Sequence, residues 1–303
     1  MSSLASTTGE IDFVYDGQTL KTWYKVFGDL SSGATPLVVL HGGPGLSHNY
    51  LLPLAVLASR GIPVIFYDQI GGGQSTHLPD KPAEFWAFPL FIAELENVLA
   101  HFRITARFDL VGHSWGGMLA QEYAAQRQPT GLRRLVLTDS LPALPLWVVS
   151  VNKLLKRLPQ NIQDTIKKHE ADGTLEDEEF KEAKNVFYAH FVCKVNPFPQ
   201  ELLDTFELLE KDPTVNMTMQ GPTEFTITGT LKTWDMIDRL HLISAPTLVI
   251  NGADDEASDE VVGPLFQKIP RSKWVQFAKS SHTPFYEEKE RFMQIVGDYL
   301  CEE

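Results

Sequence analysis

The chain has 303 residues, of which 43% are hydrophobic, 21% charged and 11% aromatic, an ordinary globular composition that excludes a disordered or fibrous protein. Its 26 Lys and Arg against 39 Asp and Glu give a net charge of −13, which argues against a nucleic-acid partner or an anionic membrane surface, because phosphate binding needs clustered cations. The only cysteines, Cys193 and Cys301, lie far apart in no metal-ligand spacing; they leave room for at most one disulfide and exclude a disulfide framework.

The polar start MSSLASTTGE carries neither the basic nor the apolar region of a leader segment. No apolar run approaches the roughly 20 residues that span a bilayer, so a soluble, cytoplasmic protein is expected. EIDFVYDG and LKTWYKVFG alternate apolar and polar residues and read as antiparallel strands. TPLVVLHGGPG and IPVIFYDQIGGGQS are each a buried strand running into a glycine loop. Residues 83 to 102 carry apolar positions at helical spacing, RFDLVGHSWGGMLAQEYAAQ is strand, sharp turn and helix, and LRRLVLTDS is another strand. This alternation predicts a parallel α/β sheet with its functional loops at the strands' C-terminal ends. From about residue 141 the rhythm becomes helical, with NIQDTIKKHEADG, EDEEFKEAKNVFYAHFV and PQELLDTFELLEKD, and strands resume only at APTLVING and SKWVQFAKSS, before a last amphipathic helix from about 285 to 300. The expected organisation is one α/β domain over 1–140 and 237–303, interrupted by a helical cap over 141–236.

LVGHSWGG contains Gly112-His113-Ser114-Trp115-Gly116, a G-x-S-x-G pentapeptide between a predicted strand and a predicted helix. A serine on such a strained turn projects its hydroxyl above the sheet, and small neighbours are needed because the backbone doubles back on itself. Ser114 is therefore the candidate nucleophile, and His113 a turn residue beside it. A serine hydroxyl needs a general base, and the base an acid that fixes its tautomer. Of the nine histidines, only His282 in KSSHTPF lies between the last predicted strand and the last helix, where the chain order Ser, acid, His of α/β-hydrolases puts the base. His41, His48, His77, His101, His190 and His241 are in the wrong order or on the wrong elements. The acid should follow the preceding strand, in NGADDEASDE (251–260), which packs five carboxylates into ten positions. Asp255 is the candidate; Asp254 is a local rival and Asp139, after RRLVLT, a more distant one. Asp254, Asp259 and Glu260 otherwise read as solvated charges opening the next helix. The oxyanion of an attacked carbonyl needs two backbone donors, for which Trp115 N–H and Gly43 in HGGPG are placed.

These residues resemble the proline iminopeptidase family of α/β-hydrolases, which also includes amino-acid amidases. The resemblance covers nearly the whole chain and rests on HGGPG, YDQIGGGQS, GHSWGG, FYAHFVC, GPTEFTITGTLKTWD, NGADDEAS and SSHTPF, in that order. It implies an α/β-hydrolase fold: a mostly parallel sheet flanked by helices, with an inserted helical cap. Ser114, Asp255 and His282 take the triad positions, and Gly43 and Trp115 the oxyanion-hole positions. The implied activity is release of an N-terminal residue, often proline, from a small peptide or amino-acid amide. The substrate's free amine would be held by glutamates that match Glu224 of GPTEF and Glu256 beside Asp255. A buried ammonium is costly unless paired, so two carboxylates would select an unblocked N-terminus. Two departures accompany the likeness. The family's DQRG is here Asp68-Gln69-Ile70-Gly71, so the loop is held differently or the pocket has changed. Residues 141 to 220 match loosely outside FYAHFVC, and Trp147, Phe187 and Phe191 there either wall a pyrrolidine ring or pack helices together.

The same triad serves an amidase, or an esterase or lactonase that has no use for Glu224 and Glu256. A hydrolase-fold ligand receptor is the alternative outside the enzymes, and the intact Ser-Asp-His set with its oxyanion loop counts against it. The serine mechanism requires no cofactor, and no H-E-x-x-H or other metal-ligand cluster is present. The sequence does not specify an oligomeric state.

Overall fold

A computed structural model describes residues 5–302; residues 1–4, part of the stretch expected to carry no leader, and residue 303 lie outside the described residues. Strands β1 (Ser6–Tyr15) and β2 (Gln18–Phe27) form the expected antiparallel hairpin, paired in register from end to end. Asp16 and Gly17 join them with φ of 49° and 71°, the doubly left-handed turn whose twist suits a two-residue hairpin. β1 begins four residues before EIDFVYDG because ladder hydrogen bonds use the backbone and tolerate the polar Ser6–Gly9 edge.

β3 (Leu37–Leu40), β4 (Val64–Tyr67), β5 (Phe108–His113), β6 (Leu132–Thr138), β7 (Thr247–Gly252) and β8 (Ser272–Phe277) complete an eight-stranded sheet in the order β1-β2-β4-β3-β5-β6-β7-β8, parallel from β4 to β8. Every residue of β3, β4, β5 and β7 is buried. Their side chains alternate between two apolar clusters. Val38, Leu40, Ile65, Leu110 and Val249 face one, which contains residues of α1 (Phe88–His101) and α2 (Trp115–Arg127). Leu37, Val39, Val64, Val111 and Ile250 face the other, with a 3-10 helix over Asn49–Arg60. A parallel sheet covered on both faces reads as unbroken apolar runs for this reason.

Between β6 and β7 come five α-helices, α3 (Leu144–Leu155), α4 (Gln160–Asp172), α5 (Glu178–Phe191), α6 (Gln200–Lys211) and α7 (Thr214–Met219), and then a 3-10 helix over Ile237–Leu242. The segment leaves and rejoins the core at one place, where Leu144 N–H donates to Trp234 O at 3.0 Å and Met236 N–H to Pro142 O at 2.7 Å. After β7 come α8 (Asp259–Lys268), β8, and α9 (Pro284–Glu287) followed by α10 (Lys289–Cys301), so the single last helix expected from the apolar pattern is divided at Glu288. The helix expected from residue 83 starts at Phe88, with Pro89 in its first turn, behind a short 3-10 turn over Ala83–Phe85. Cys193 is buried and Cys301 exposed, both as free thiols. Among the described residues no helix is long and apolar enough to cross a membrane.

The loop after β4 shows how Ile70 is accommodated. Buried Asp68 accepts His48 N–H at 2.7 Å and Gln74 N–H at 2.9 Å, and Gln69 N–H donates to His41 Nε2 at 2.9 Å. Ile70 is fully buried in the apolar cluster, and its N–H donates to the Glu94 carboxyl at 3.1 Å. Thr22 Oγ1 donates to the same carboxyl at 2.6 Å. Among the described residues no cation pairs with Glu94, and burial pushes its carboxyl up to about 8 despite the Thr22 and Ile70 hydrogen bonds.

In the folded protein Glu94 keeps below about pH 8 a proton that the unfolded chain loses near 4.5, so stability falls as pH rises through that window, by on the order of 3 kcal/mol from pH 5 to 8. Glu94→Gln keeps the acceptor oxygen without the titration. Melting temperatures measured from pH 5 to 9 should show the variant gaining on wild type as pH rises; parallel curves would remove Glu94 as the cause.

Candidate active site

Ser114 sits between β5 and α2 with φ 54° and ψ −121°, a conformation that costs a non-glycine residue energy and is held by its surroundings. The two glycines of the pentapeptide make the turn possible. A Cβ on Gly112 would stand 2.4 Å from Gly116 O, and one on Gly116 would stand 2.1 Å from Leu40 O on β3. Ser114 N–H donates to Thr138 O at 3.1 Å and Ser140 Oγ donates to Ser114 O at 2.9 Å, which fastens the turn to β6 and the residues after it. Trp115 opens α2, so its N–H is among the first four of the helix, which have no intrahelical acceptor. Its indole is buried and donates to Gln69 Oε1 at 2.8 Å.

His282, between β8 and α9, places Nδ1 2.6 Å from Asp255 Oδ1, which also accepts Ala257 N–H at 2.9 Å. Both side chains are buried. Asp254, the local rival, turns outward to Arg157 at 2.7 Å and Lys194 at 2.6 Å. Asp259 and Glu260 occupy the first turn of α8, as the sequence suggested. Asp139, the distant rival, is buried against Asp255: oxygens of both carboxyls and a ring nitrogen of His282 lie within 4.8 Å of one another.

His113 does more than fill a turn. Its Nε2 lies 2.9 Å from the His282 carbonyl oxygen, which can only accept, so Nε2 carries the proton and Nδ1 accepts the Tyr50 hydroxyl at 2.7 Å. The Tyr50 oxygen accepts Gly42 N–H at 2.7 Å. Burial, reinforced by the neighbouring His282, holds the His113 imidazole well below its usual range and therefore neutral. A chain of hydrogen bonds thus links the HGGPG loop to the backbone of His282. Tyr50 lies on the 3-10 helix over Asn49–Arg60, a segment to which the sequence analysis assigned no element.

Ser114, His282, Gly43, Trp147, Glu224 and Glu256 line one cavity of about 200 Å³, with Tyr188 and Val192 of the α5 end and Leu202 and Phe206 of α6. Trp147 also sets its ring edge-on to His282, with centroids 5.6 Å apart. Phe187 and Phe191 are packing residues: they meet each other at 4.9 Å, and Phe187 meets Phe225 at the same distance. Glu224, on the loop after α7, and Glu256, directly after Asp255, are both buried, and Oε1 of each lacks a hydrogen-bond partner. Burial pushes the Glu256 carboxyl well up, reinforced by Glu224 and then Asp255. Burial also raises Glu224, against the opposing charge of Lys184. Consecutive side chains thus meet different surroundings, with Asp255 on His282 and Glu256 in the cavity. The sequence analysis missed Lys184, although FYAHFVC begins only three residues later and includes the cavity residue Tyr188.

The family model described as "alpha/beta hydrolase fold" matches residues 35–289. The chain is 35% identical over 281 residues to a proline iminopeptidase of Saccharolobus solfataricus, covering 93% of this chain and 89% of that protein. Among solved structures, a proline iminopeptidase of Mycobacterium smegmatis aligns with a TM-score of 0.90 at 40% identity over 97% of each chain. VinJ aligns with a TM-score of 0.93 at 43% identity over 97% of this chain and 98% of its own. A matched family model over most of the chain, an eight-stranded sheet of the corresponding fold and near full-length relatives above 30% identity lead to one assignment: the chain belongs to the proline iminopeptidase family of α/β-hydrolases.

Proposed function

We propose that this protein is a serine hydrolase that releases an N-terminal residue, with proline as the expected choice, from small peptides or amino-acid amides through an acyl-enzyme. The observation that carries this reading is the pair Glu224 and Glu256, buried with unpartnered oxygens in the same cavity as Ser114 and His282. Two buried carboxyls with only Lys184, near Glu224, to oppose their charge are costly, and a substrate ammonium offsets that cost while presenting its own carbonyl to the serine. In this reading residues 141–236 act as a cap domain, because they supply Trp147, Tyr188 and Glu224 to the cavity. A cytoplasmic location is part of the same proposal.

Ser114 Oγ attacks the carbonyl of the first residue while His282 Nε2 takes its proton, with Nδ1 held by Asp255. The backbone N–H groups of Gly43 and Trp115 receive the oxyanion, a contribution of several kcal/mol. The amine leaves with the proton from His282, and water then releases the amino acid by the same steps. These steps use side chains, backbone donors and water alone.

Initial rates on prolyl, alanyl and N-acetyl-prolyl p-nitroanilides and on a simple p-nitrophenyl ester test the reading. Turnover of the free-amine anilides should vanish on acetylation and fall about 10⁴-fold or more in Ser114→Ala. Cleavage of the ester alone would leave the triad standing and remove the amine-binding role. Glu256→Gln should lose about 2–5 kcal/mol with free-amine substrates, at least thirtyfold in kcat/KM, and little with the ester.

The raised carboxyls set the sign of a pH dependence. Protons held by Glu224 and Glu256 compete with the substrate ammonium, so KM for prolyl p-nitroanilide should rise as pH falls, by up to about tenfold per unit for each proton displaced. The ester should show no such rise. A KM for both substrates that is flat in pH would mean that the carboxyls do not hold the amine.

A further inference from the structure

One buried carboxyl has no part in the steps above. Asp139 follows β6, is fully buried, and has a left-handed φ of 52°, which costs a residue with a Cβ about 1 kcal/mol or more. Its N–H donates to Ile250 O at 2.7 Å, so it is tied to β7, the strand that leads to Asp255. Oδ2 accepts the Thr138 hydroxyl at 2.5 Å. The remaining oxygen, Oδ1, is buried without a hydrogen-bond partner, and Asp255 Oδ2 is in the same state. Oxygens of the two carboxyls and a His282 ring nitrogen lie within 4.8 Å of one another. Two dry carboxylates at this distance do not both ionise, and one proton turns two orphaned acceptors into a donor and an acceptor.

We propose that Asp139 is a positioning residue for the triad: a neutral carboxylic acid whose Oδ1–H donates to Asp255 Oδ2, so that the pair carries one negative charge and Asp255 is held with Oδ1 toward His282. This deepens the reading of Asp255 and His282 given above and rests on it. Burial, followed by the neighbouring Asp255, raises the Asp139 carboxyl well above the usual range, and Glu287 acts in the same direction. The other titratable groups near it are His282, across Asp255, and the Tyr50 hydroxyl. Among the described residues no Lys or Arg pairs with it to favour the ionised form. Three hydrogen bonds then fix the plane of Asp255, from His282, Ala257 N–H and Asp139.

The roles required of Asp139 are to accept from Thr138, to donate to Asp255 and to tolerate a positive φ. Asparagine meets all three with no ionisable proton; glycine meets only the last. The test compares kcat, KM and the acid limb of the kcat/KM profile for wild type, Asp139→Asn and Asp139→Gly, with Asp255→Asn alongside and melting curves for each. Asp139→Asn should keep kcat within about threefold and leave the acid limb in place. Asp139→Gly should lose kcat about tenfold or more with KM within about twofold. A difference infrared spectrum, wild type minus Asp139→Asn, should show the carbonyl stretch of a protonated carboxyl.

If Asp139 is ionised, its replacement by Asn removes a negative charge close to His282, and the acid limb moves down by about a unit; that result overturns the proposal. So does a folded Asp139→Gly with wild-type kcat. If Asp139→Gly does not fold, the acid limb and the infrared difference of Asp139→Asn decide alone. Unchanged turnover in Asp255→Asn would show instead that the triad reading itself fails, which separates the two failures.

Discussion

The structure turns on a close approach of backbone to backbone. Gly116, at the start of α2, comes so near Leu40 O on β3 that a Cβ there would stand 2.1 Å away, and this contact locks the turn that holds Ser114 at a positive φ. The strain belongs to one residue, while the restraints come from three neighbouring strands: β5 leads into the turn, β3 blocks its collapse, and β6 accepts the Ser114 N–H. The parallel sheet then brings the loops after β3, β5, β6, β7 and β8 to one edge. Gly43, Ser114, Asp139, Asp255 and His282 all come from those loops, which is why residues far apart in sequence meet.

Charge burial is the second constraint. Asp68, Glu94, Asp139, Glu224, Asp255 and Glu256 are all buried, and each is compensated differently. Asp68 is held by backbone donors and His48; burial raises the carboxyls of Glu94 and Asp139, at Asp139 with the neighbouring Asp255 acting in the same direction. Asp255 has a histidine. Glu224 and Glu256 have neither a full set of donors nor a resident cation apart from the nearby Lys184, and they are the two that face the cavity. A carboxyl left incompletely satisfied at a cavity wall is open to a ligand, which is the basis of the role proposed for this pair, whereas one left so inside the core is a burden on stability.

Much of this could be read from the residues in order. The strands came through because buried parallel strands are short apolar runs ended by glycines, and G-x-S-x-G between strand and helix points to a nucleophile. The order Ser, Asp, His selected His282 from nine histidines and Asp255 from five neighbouring carboxylates. The 3-10 helix over Asn49–Arg60 stayed unassigned, because the run from Tyr50 to Ala58 is almost wholly apolar and Pro53 falls inside it. With it stayed hidden Tyr50, which connects Gly42 to His113. The insertion was legible as helices and illegible as a pocket. Phe187 and Phe191 lie in the same motif as Tyr188, and only helix orientation turns Tyr188 to the cavity and the phenylalanines to each other.

By itself the sequence determined most of the strands and helices and their order, and it singled out Ser114, Asp255 and His282 as candidates, since each leaves a local signature in residue type, period or chain order. Tertiary structure alone decided how Ile70 is housed, with its side chain in the apolar cluster and its N–H on Glu94. It alone decided that Asp254 turns out to Arg157 and Lys194 while Asp255 turns in. It also set Asp139 against Asp255, from the loops after two different strands. The physical reason is common to all three: a carboxyl's state depends on which charges, donors and apolar surfaces surround it, and those neighbours come from parts of the chain that only folding brings together.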